Sequence, residues 1–554
     1  MTLLLILLPA LPMALALVAP SGRLGPQATA AGVASTALIA LLLALLNPEP
    51  IRLDWLMLGT TLGLDVVSRP LLAAAALVWF VATLAAKDLF TGDTGPRFTM
   101  CYLLTLAGNM GVLITQDMVS FYLSFAVMTF AGYGLIAHQS TDEALRAGRI
   151  YLILAIAGEA LLLAGLFVLG AAAGNPTASD MPAVYADLAS PGMVGGLLLA
   201  GFAVKMGLMP LHVWLPLAHP AAPVPASAVL SAVIVKGGLL GWLRLVPPGE
   251  AALLPAADLL IALGLLTAFA AALIGCLQHR PKTVLAYSTV SQMGLLAIPV
   301  GMVVGGRAES DLLLPVIGLF ALHHALAKGA LFLALDHIKT VRPLFLAATV
   351  LAAAALVGVP FTSGLVAKAG LKAGLTDPYP LLITLTSVTT ALLLSRFLVL
   401  AWPRRRDQTP AGARNRVEVA WLVLVALGLA LPWILAGDGA RAYALQFGGI
   451  RDGVWPALVA AALALAAGSA IKRWPGVPEG DLVVPAERLL RAGYQPIDRL
   501  FNALKRSLVR MRERVPTLAT LKRDLPMHEP STPVVALLML VLVLLLPALY
   551  LLDA

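Results

Sequence analysis

Four lysines stand inside apolar stretches of this chain, and a lysine so placed can carry a proton. Lys205 lies in LLLAGFAVKMGLMPLHVWLP, Lys236 in SAVLSAVIVKGGLLGWLR, Lys328 in LFALHHALAKGALFLALDHI and Lys368 in VGVPFTSGLVAKAGLKAGL. An ammonium at the bilayer centre costs on the order of 3 kcal/mol on insertion scales, so each needs a partner, a wet cavity or a task. Poor solvation disfavours the charged form of an amine, which lets a buried lysine load and release a proton instead of holding it. His324 precedes Lys328 by one turn on the same helical face, with His323 beside it. Glu159, in LAIAGEALLLAGL, is the acidic group nearest the first lysine at membrane depth. For one lysine alone, snorkelling to the interface is the plain alternative. Four, two of them beside helix breaks, point to a hydrated relay at mid-membrane.

Other chemistry finds no support in the sequence. The patterns GxGxxG, GxxxxGK[ST] and CxxC are absent, so no nucleotide, flavin, haem or iron–sulfur cofactor is expected, and no catalytic site. Cys101 and Cys276 sit far apart in apolar segments without metal-ligand spacing, which argues against a disulfide framework or a metal site.

The elements that must carry these residues are membrane helices. Of 554 residues 60% are hydrophobic and 12% charged, half the charged fraction of a soluble domain. A spanning helix needs about 20 apolar residues to cover about 30 Å of hydrocarbon. About sixteen such segments recur, which makes the expected fold an all-α polytopic membrane protein. They fall near 2–19, 28–46, 69–87, 98–115, 117–137, 148–171, 193–216, 222–246, 254–278, 283–305, 312–338, 343–374, 379–402, 417–436, 453–471 and 533–551. The seventh is interrupted by Pro210 and Pro216, and the twelfth by Pro360 followed by Thr362, Ser363 and Gly364. At membrane depth such breaks are tolerated only beside protein or a wet cavity. The N-terminal run has no basic leader and no clear cleavage site, and reads as a retained helix.

The net charge of +9 does not indicate nucleic acid, because its placement follows the membrane. Arg23, Lys87, Arg97, Arg146, Arg149, Arg280, Lys282, Lys339, Arg342 and the run from Arg404 to Arg416 fall on one side. The opposite side holds the acidic or neutral loops around 172–192, 247–253 and 376–379, with scattered Arg52, Arg307, Arg441 and Arg451. The positive-inside rule then puts the N-terminus outside, in a bacterial cytoplasmic (inner) membrane. Residues 487–515 place Leu489, Leu490, Tyr494, Ile497, Leu500, Phe501, Leu504, Leu508 and Met511 at helical spacing opposite a basic face. That pattern predicts an amphipathic helix along the cytoplasmic interface, lying on this bundle or on a neighbouring subunit, before a final anchor helix at 533–551. The expected division is 1–97 N-terminal helices, 98–246 and 254–402 two repeats, 403–471 additional helices, 472–532 the amphipathic region and 533–554 the anchor.

KMGLMPLHVWLPLAHPAAPVPASAVLSAVIVKGGLLGWLR, PKTVLAYSTVSQMG, HHALAKGALF and GVPFTSGLVAKAG together resemble the signature of the antiporter-like membrane subunits. That family includes proton-pumping subunits of respiratory complex I, Mrp-type cation/proton antiporters and membrane-bound hydrogenase subunits. The resemblance runs over roughly 55–400 and implies two inverted five-helix repeats, each with one broken helix and the ion site at their interface. It matches Lys205 to the lysine of the first broken helix, Lys236 to that of the next helix, Lys328 with His324 to the central relay, and Lys368 to the charge of the second broken helix. Lys282 matches the lysine before LAYS. His219 matches the histidine of WLPxAH, where it is expected as an exposed loop residue. The departures are specific: Ala126 stands where the family carries a fifth-helix glutamate, Leu217 where it has the WLPDAH aspartate, and Arg280 where an acid precedes the LAYS lysine.

The resemblance implies a proton-translocating, or cation/proton-translocating, subunit of a multisubunit complex, without a cofactor of its own. The implied partners are other membrane subunits and the bilayer, together with a soluble redox or carbon-handling subunit; the ion is a proton or sodium. In a redox-driven translocase this chain would be the ion-translocating subunit. The alternatives are a non-conducting scaffold subunit, or the ion-flux subunit of a two-component inorganic-carbon uptake system.

Overall fold

The computed structural model describes residues 1–337, 343–402, 416–471, 477–480 and 482. Runs of leucine, alanine and valine become helices because an open chain in hydrocarbon must satisfy its backbone within itself. The chain begins with α1 (Thr2–Val18), α2 (Pro26–Leu46), α3 (Ser68–Ala85), α4 (Gly95–Ile114), α5 (Met118–Ile136) and α6 (Asp142–Ala173). A short α7 (Met181–Ala186) leads to α8 (Pro191–Met206), α9 (Trp214–Ala221), α10 (Val224–Val229) and α11 (Lys236–Leu245). Next come α12 (Leu254–Cys276), α13 (Pro281–Val304), α14 (Ser310–His337), α15 (Pro343–Val357) and α16 (Ser363–Ala373). The described helices end with α17 (Tyr379–Ala401), α18 (Arg416–Leu435), α19 (Asp438–Leu445) and α20 (Phe447–Ile471).

Among the described residues, thirteen helical stretches are long and apolar enough to cross a membrane, and α8 and α15 are shorter apolar helices. The protein is a mostly helical, polytopic membrane protein. The amphipathic helix expected at 487–515 and the anchor at 533–551 lie outside the described residues.

Two features depart from an all-helical bundle with proline-marked breaks. An antiparallel hairpin, β1 (Ile51–Leu53) with β2 (Thr60–Leu62), joins α2 to α3, with Ile51 opposite Leu62. Its strands of three residues are too short to announce themselves by alternation. Asp117 fixes it from the start of α5, accepting from the Thr61 amide at 2.8 Å and the Ser120 amide at 2.9 Å. The breaks turn on glycines, not on the prolines the sequence advertises. α8 stops at Met206 and Gly207 adopts φ +70°; α15 stops at Val357 and Gly358 adopts φ +87°. A left-handed residue after the last turn is the common helix stop, with proline shortly beyond, as Pro210 and Pro360 are here. Pro216 breaks nothing: it lies within α9. The chain pairs the groups freed at the first break, Trp214 Nε1 donating to Val204 O at 2.8 Å and the Met209 amide to Thr267 Oγ1 at 3.0 Å.

One buried guanidinium ties three helix ends together. Arg244, in the last turn of α11, donates twice to Asp65 Oδ2, at 3.0 and 2.6 Å. It also donates to the last carbonyls of α4, at Val112 (2.6 Å) and Leu113 (3.0 Å), and to that of Thr115 just beyond it (2.7 Å). Asp65 in turn accepts from the Val67 and Ser68 amides at the start of α3. Burial pushes the Asp65 carboxyl up, but Arg244 and the Ser68 amide more than offset it and hold it below the usual carboxylate value. Its stabilising effect is therefore present above about pH 4 and is lost only as pH falls further. Arg244→Ala should lower stability by about 3 kcal/mol, the low end for breaking a buried pair because Asp65 is partly exposed. The melting midpoint of the purified chain in detergent checks this; an unchanged midpoint contradicts the clamp.

Candidate functional site

The four lysines fall into three buried groups. In the first, Lys205 occupies the last turn of α8, where the unpaired carbonyl end of a helix favours a cation. Its ammonium donates to Thr129 Oγ1 on α5 at 3.1 Å and Tyr151 OH on α6 at 3.2 Å, and lies over the Phe125 and Tyr151 rings at 5.6 and 5.5 Å. Tyr151 passes its own hydroxyl hydrogen to Thr129 O at 2.6 Å, so the tyrosine oxygen is oriented to accept. Lys205 and Glu159 both line a cavity of about 20 Å³, which is room for one water. Glu159 is buried, and neither carboxylate oxygen has a hydrogen-bond partner; its polar neighbours are the Tyr122 and Thr129 hydroxyls of α5. The two charges thus share a cavity without a direct bond.

That juxtaposition depends on two glycines. A Cβ on Gly158 of α6 would meet Gly201 O at 3.2 Å, and one on Gly201 of α8 would meet Gly158 O at 3.0 Å. The backbones approach where small residues face each other, which brings residue 159 and residue 205 to one wall. Thr129 stands one turn after Ala126, so the helix that lacks the expected glutamate supplies a neutral hydroxyl.

The second group centres on Lys236. Residues Leu230–Ile234 form a turn of π-helix between α10 and α11. Lys236 Nζ donates to Ser231 O within that turn at 2.9 Å and lies 2.7 Å from His324 Nδ1 on α14. An ammonium donor there requires an accepting Nδ1, which puts the imidazole hydrogen on Nε2. Such bulges cluster at functional sites, but no glycine or proline marks this one, and the segment reads as plain helix. Lys328, fully buried one turn beyond His324, donates to Leu285 O of α13 at 2.9 Å. The expected face pair of His324 and Lys328 is therefore divided: the histidine engages Lys236 and the lysine a backbone carbonyl.

The third group lies at the second break. Lys368 of α16 donates to Val357 O, the last carbonyl of α15, at 2.9 Å, and to Ser387 Oγ of α17 at 2.7 Å. His323 Nδ1 lies 3.1 Å from Ser363 Oγ, at the start of α16. Adjacent histidines of α14 thus face opposite ways, His324 toward the first half of the chain and His323 toward the second break. By spacing only His324 shares the face of Lys328; the structure gives each histidine a polar partner.

His219 corrects an expectation. It is not an exposed loop residue but a fully buried member of α9, packed on the Phe332 ring at 4.8 Å with neither ring nitrogen hydrogen-bonded. The short helix after the first break folds the WLPLAHP segment into the core. Lys282 caps that helix, donating to Ala222 O at 2.6 Å. Arg280, in place of the expected acid, pairs with Glu143 at the surface.

The sequence profile described as "NADH:quinone oxidoreductase/Mrp antiporter, TM" matches residues 115–394, half of the chain. The chain is 31% identical over 287 residues to hydrogenase-4 component B of Escherichia coli, covering 49% of this chain and 42% of that one. It therefore spans less than half of that relative. It is 29% identical over 446 residues to NADH-quinone oxidoreductase subunit N of Desulforudis audaxviator, covering 72% and 86% respectively. A chain of the Mrp complex from Dietzia shares its fold, with a TM-score of 0.66 at 19% identity over 82% of this chain and 99% of that one.

The Lys205 geometry makes a prediction. A hydrogen bond to a charged group contributes roughly 1.5–3 kcal/mol, and about 1.4 kcal/mol is a factor of ten in rate. Thr129→Val and Tyr151→Phe should each slow ion flux by about tenfold if Lys205 must be charged during turnover. Flux in proteoliposomes carrying each assembled variant measures this; wild-type rates in both would mean that the charge of Lys205 is not used.

Proposed function

The chain belongs to the NADH:quinone oxidoreductase/Mrp antiporter transmembrane family, and from that premise we propose that it is a proton- or cation/proton-translocating subunit of a multisubunit membrane complex. The observation that carries this reading is the series of buried groups from Glu159 and Lys205, through Lys236 with His324 and Lys328, to Lys368 beside His323. A buried lysine held by hydroxyls and carbonyls has acceptors for an ammonium without a fixed counter-ion, and can give up the proton when its surroundings change. Relatives named as hydrogenase and NADH-quinone oxidoreductase subunits support placing the chain beside other membrane subunits and a soluble redox partner.

The finer reading is ours as well: about sixteen spans, with 98–246 and 254–402 as inverted repeats whose broken helices bring Lys205 and Lys368 to equivalent places. The N-terminus is outside a bacterial cytoplasmic membrane, with the basic loops inside. Glu159 takes the part of the missing fifth-helix glutamate: approaching, it stabilises the ammonium of Lys205; receding, it lets the proton leave. His219 and Lys282, on either side of the α9 terminus, are the candidates for exchange with the cytoplasmic side.

Lys205→Ala, Lys328→Ala and Lys368→Ala should each abolish flux in complexes that still assemble, and normal flux in all three would leave the scaffold reading. Lys368→Glu should retain part of it. Glu159→Gln should slow flux by about tenfold or more, since it removes a charge facing a buried lysine. Adding Ala126→Glu to that variant should restore part of the rate. A glutamate with a purely structural role on α6 would not be rescued from α5, so recovery in the double variant is the informative outcome, and wild-type flux in Glu159→Gln removes Glu159 from the route.

A further inference from the structure

α16 carries a second lysine one turn beyond Lys368, and a carboxylate from well outside the matched family segment meets it. Lys372 Nζ lies 2.6 Å from Asp452 Oδ2 on α20, with both side chains largely buried at 10% and 14% exposure. Tyr443 OH, on α19, donates to the same oxygen at 2.8 Å, and the Lys372 ammonium lies over the Tyr443 ring at 5.2 Å. Asp452 Oδ1 takes a longer bond of 3.4 Å from exposed Arg451. The two lysines of α16 use successive turns of α17: Lys368 bonds Ser387 at 2.7 Å, and Lys372 reaches Thr384 at 3.4 Å. Close packing sets this register. A Cβ on Gly453 would meet Gly358 O at 2.9 Å and Pro360 N at 3.0 Å, so α20 rests its backbone on the second helix break and lays Asp452 against α16.

We propose that Asp452, fixed by Tyr443, is a positioning residue that balances the charge of Lys372 and thereby decides whether Lys368 can accept a proton near this end of the membrane. The proposal rests on Lys368 belonging to the ion route. Like charges four residues apart on a helix oppose each other, so an unbalanced Lys372 ammonium discourages a second charge on Lys368. With Asp452 in contact the opposition is cancelled and Lys368 can load. When the pair parts, the freed ammonium drives the proton of Lys368 off, toward the end of the bundle that carries the connection 374–378. The charge of the loops makes that end the outer one. Atoms balance in each step, since only one proton moves between Lys368 and water.

The test uses the full chain with its co-purifying subunits in proteoliposomes, measuring ion flux, subunit content and melting midpoint together. Asp452→Asn should lower flux by about tenfold or more with the complex intact, because it leaves a buried ammonium uncompensated, whereas Asp452→Glu should stay close to wild type. The deciding variant exchanges the charges, Lys372→Asp with Asp452→Lys. A simple clamp between α16 and α20 would be repaired by it, in both melting midpoint and flux. A charge balance would not: the exchange puts a carboxylate one turn from Lys368, which pins its proton, so the complex should be as stable as wild type and still conduct at least tenfold less. Flux restored by the exchange overturns the proposal, as does normal flux in Asp452→Asn. Should Asp452→Asn fail to assemble, the exchange variant decides alone. Lys368→Ala in the same preparation separates the two readings. Normal flux there removes Lys368 from the route, whereas a dead Lys368→Ala beside a normal Asp452→Asn removes the charge balance alone.

Discussion

An ammonium in hydrocarbon must be given acceptors, and so must every peptide group where a helix stops; at Lys368 and Lys236 this chain meets both demands with the same bonds. Lys368 takes the last carbonyl of α15, Lys236 takes a carbonyl within a π-turn, and Lys205 sits in the last turn of α8. Each interruption costs backbone hydrogen bonds, and each leaves carbonyl oxygens whose negative ends are suited to a cation. The glycines that end α8 and α15 are therefore as much part of the site as the lysines. Without Gly207 and Gly358 in left-handed conformation the helices would run on, and the carbonyls would be spent inside them.

Neutral partners have a consequence for transport. A lysine locked to a carboxylate holds its proton firmly, since loss of the proton would strand a buried anion. A lysine held by carbonyls and hydroxyls strands nothing when it becomes an amine: its nitrogen then accepts a hydrogen bond from a hydroxyl that can turn. Thr129, Tyr151 and Ser387 are hydroxyls of that kind. The carboxylates stand one step back. Glu159 lies across a cavity from Lys205, and Asp452 lies on the neighbour of Lys368. Both can alter the energy of the charge without holding the proton themselves.

Much of this was legible in the sequence, because a charged residue in an apolar helix is a contradiction that composition alone exposes. Lys205, Lys236, Lys328, Lys368 and Glu159 were found that way, and all five are buried. What the sequence hid has two physical origins. Conformations that need no special residue leave no trace, as at the π-turn before Lys236, where the segment reads as uninterrupted helix. Burial by folding-over is equally silent: His219 follows a proline-rich break and reads as loop, yet α9 turns it into the core. Periodicity also suggests which residues share a face without saying which neighbour that face meets. His324 and Lys328 are one turn apart, but their bonds go to α11 and α13.

The absence of a glutamate at Ala126 looks like the loss of an essential charge only if that charge must come from the fifth helix. What matters to Lys205 is the potential at its nitrogen, and that depends on distance and solvation rather than on which helix bears the carboxylate. Gly158 and Gly201 bring α6 and α8 to backbone contact, which places Glu159 on the wall of the Lys205 cavity; it is the one acid among the lining residues. At the second break the same solution recurs with different parts. Gly453 brings α20 onto the break, and Asp452 meets the lysine of the next turn. In both places a glycine contact lets a helix other than the fifth bring its acid close. A carboxylate can thus be moved between helices while the lysine it acts on stays fixed, because the lysine is tied to the helix break and the carboxylate is not.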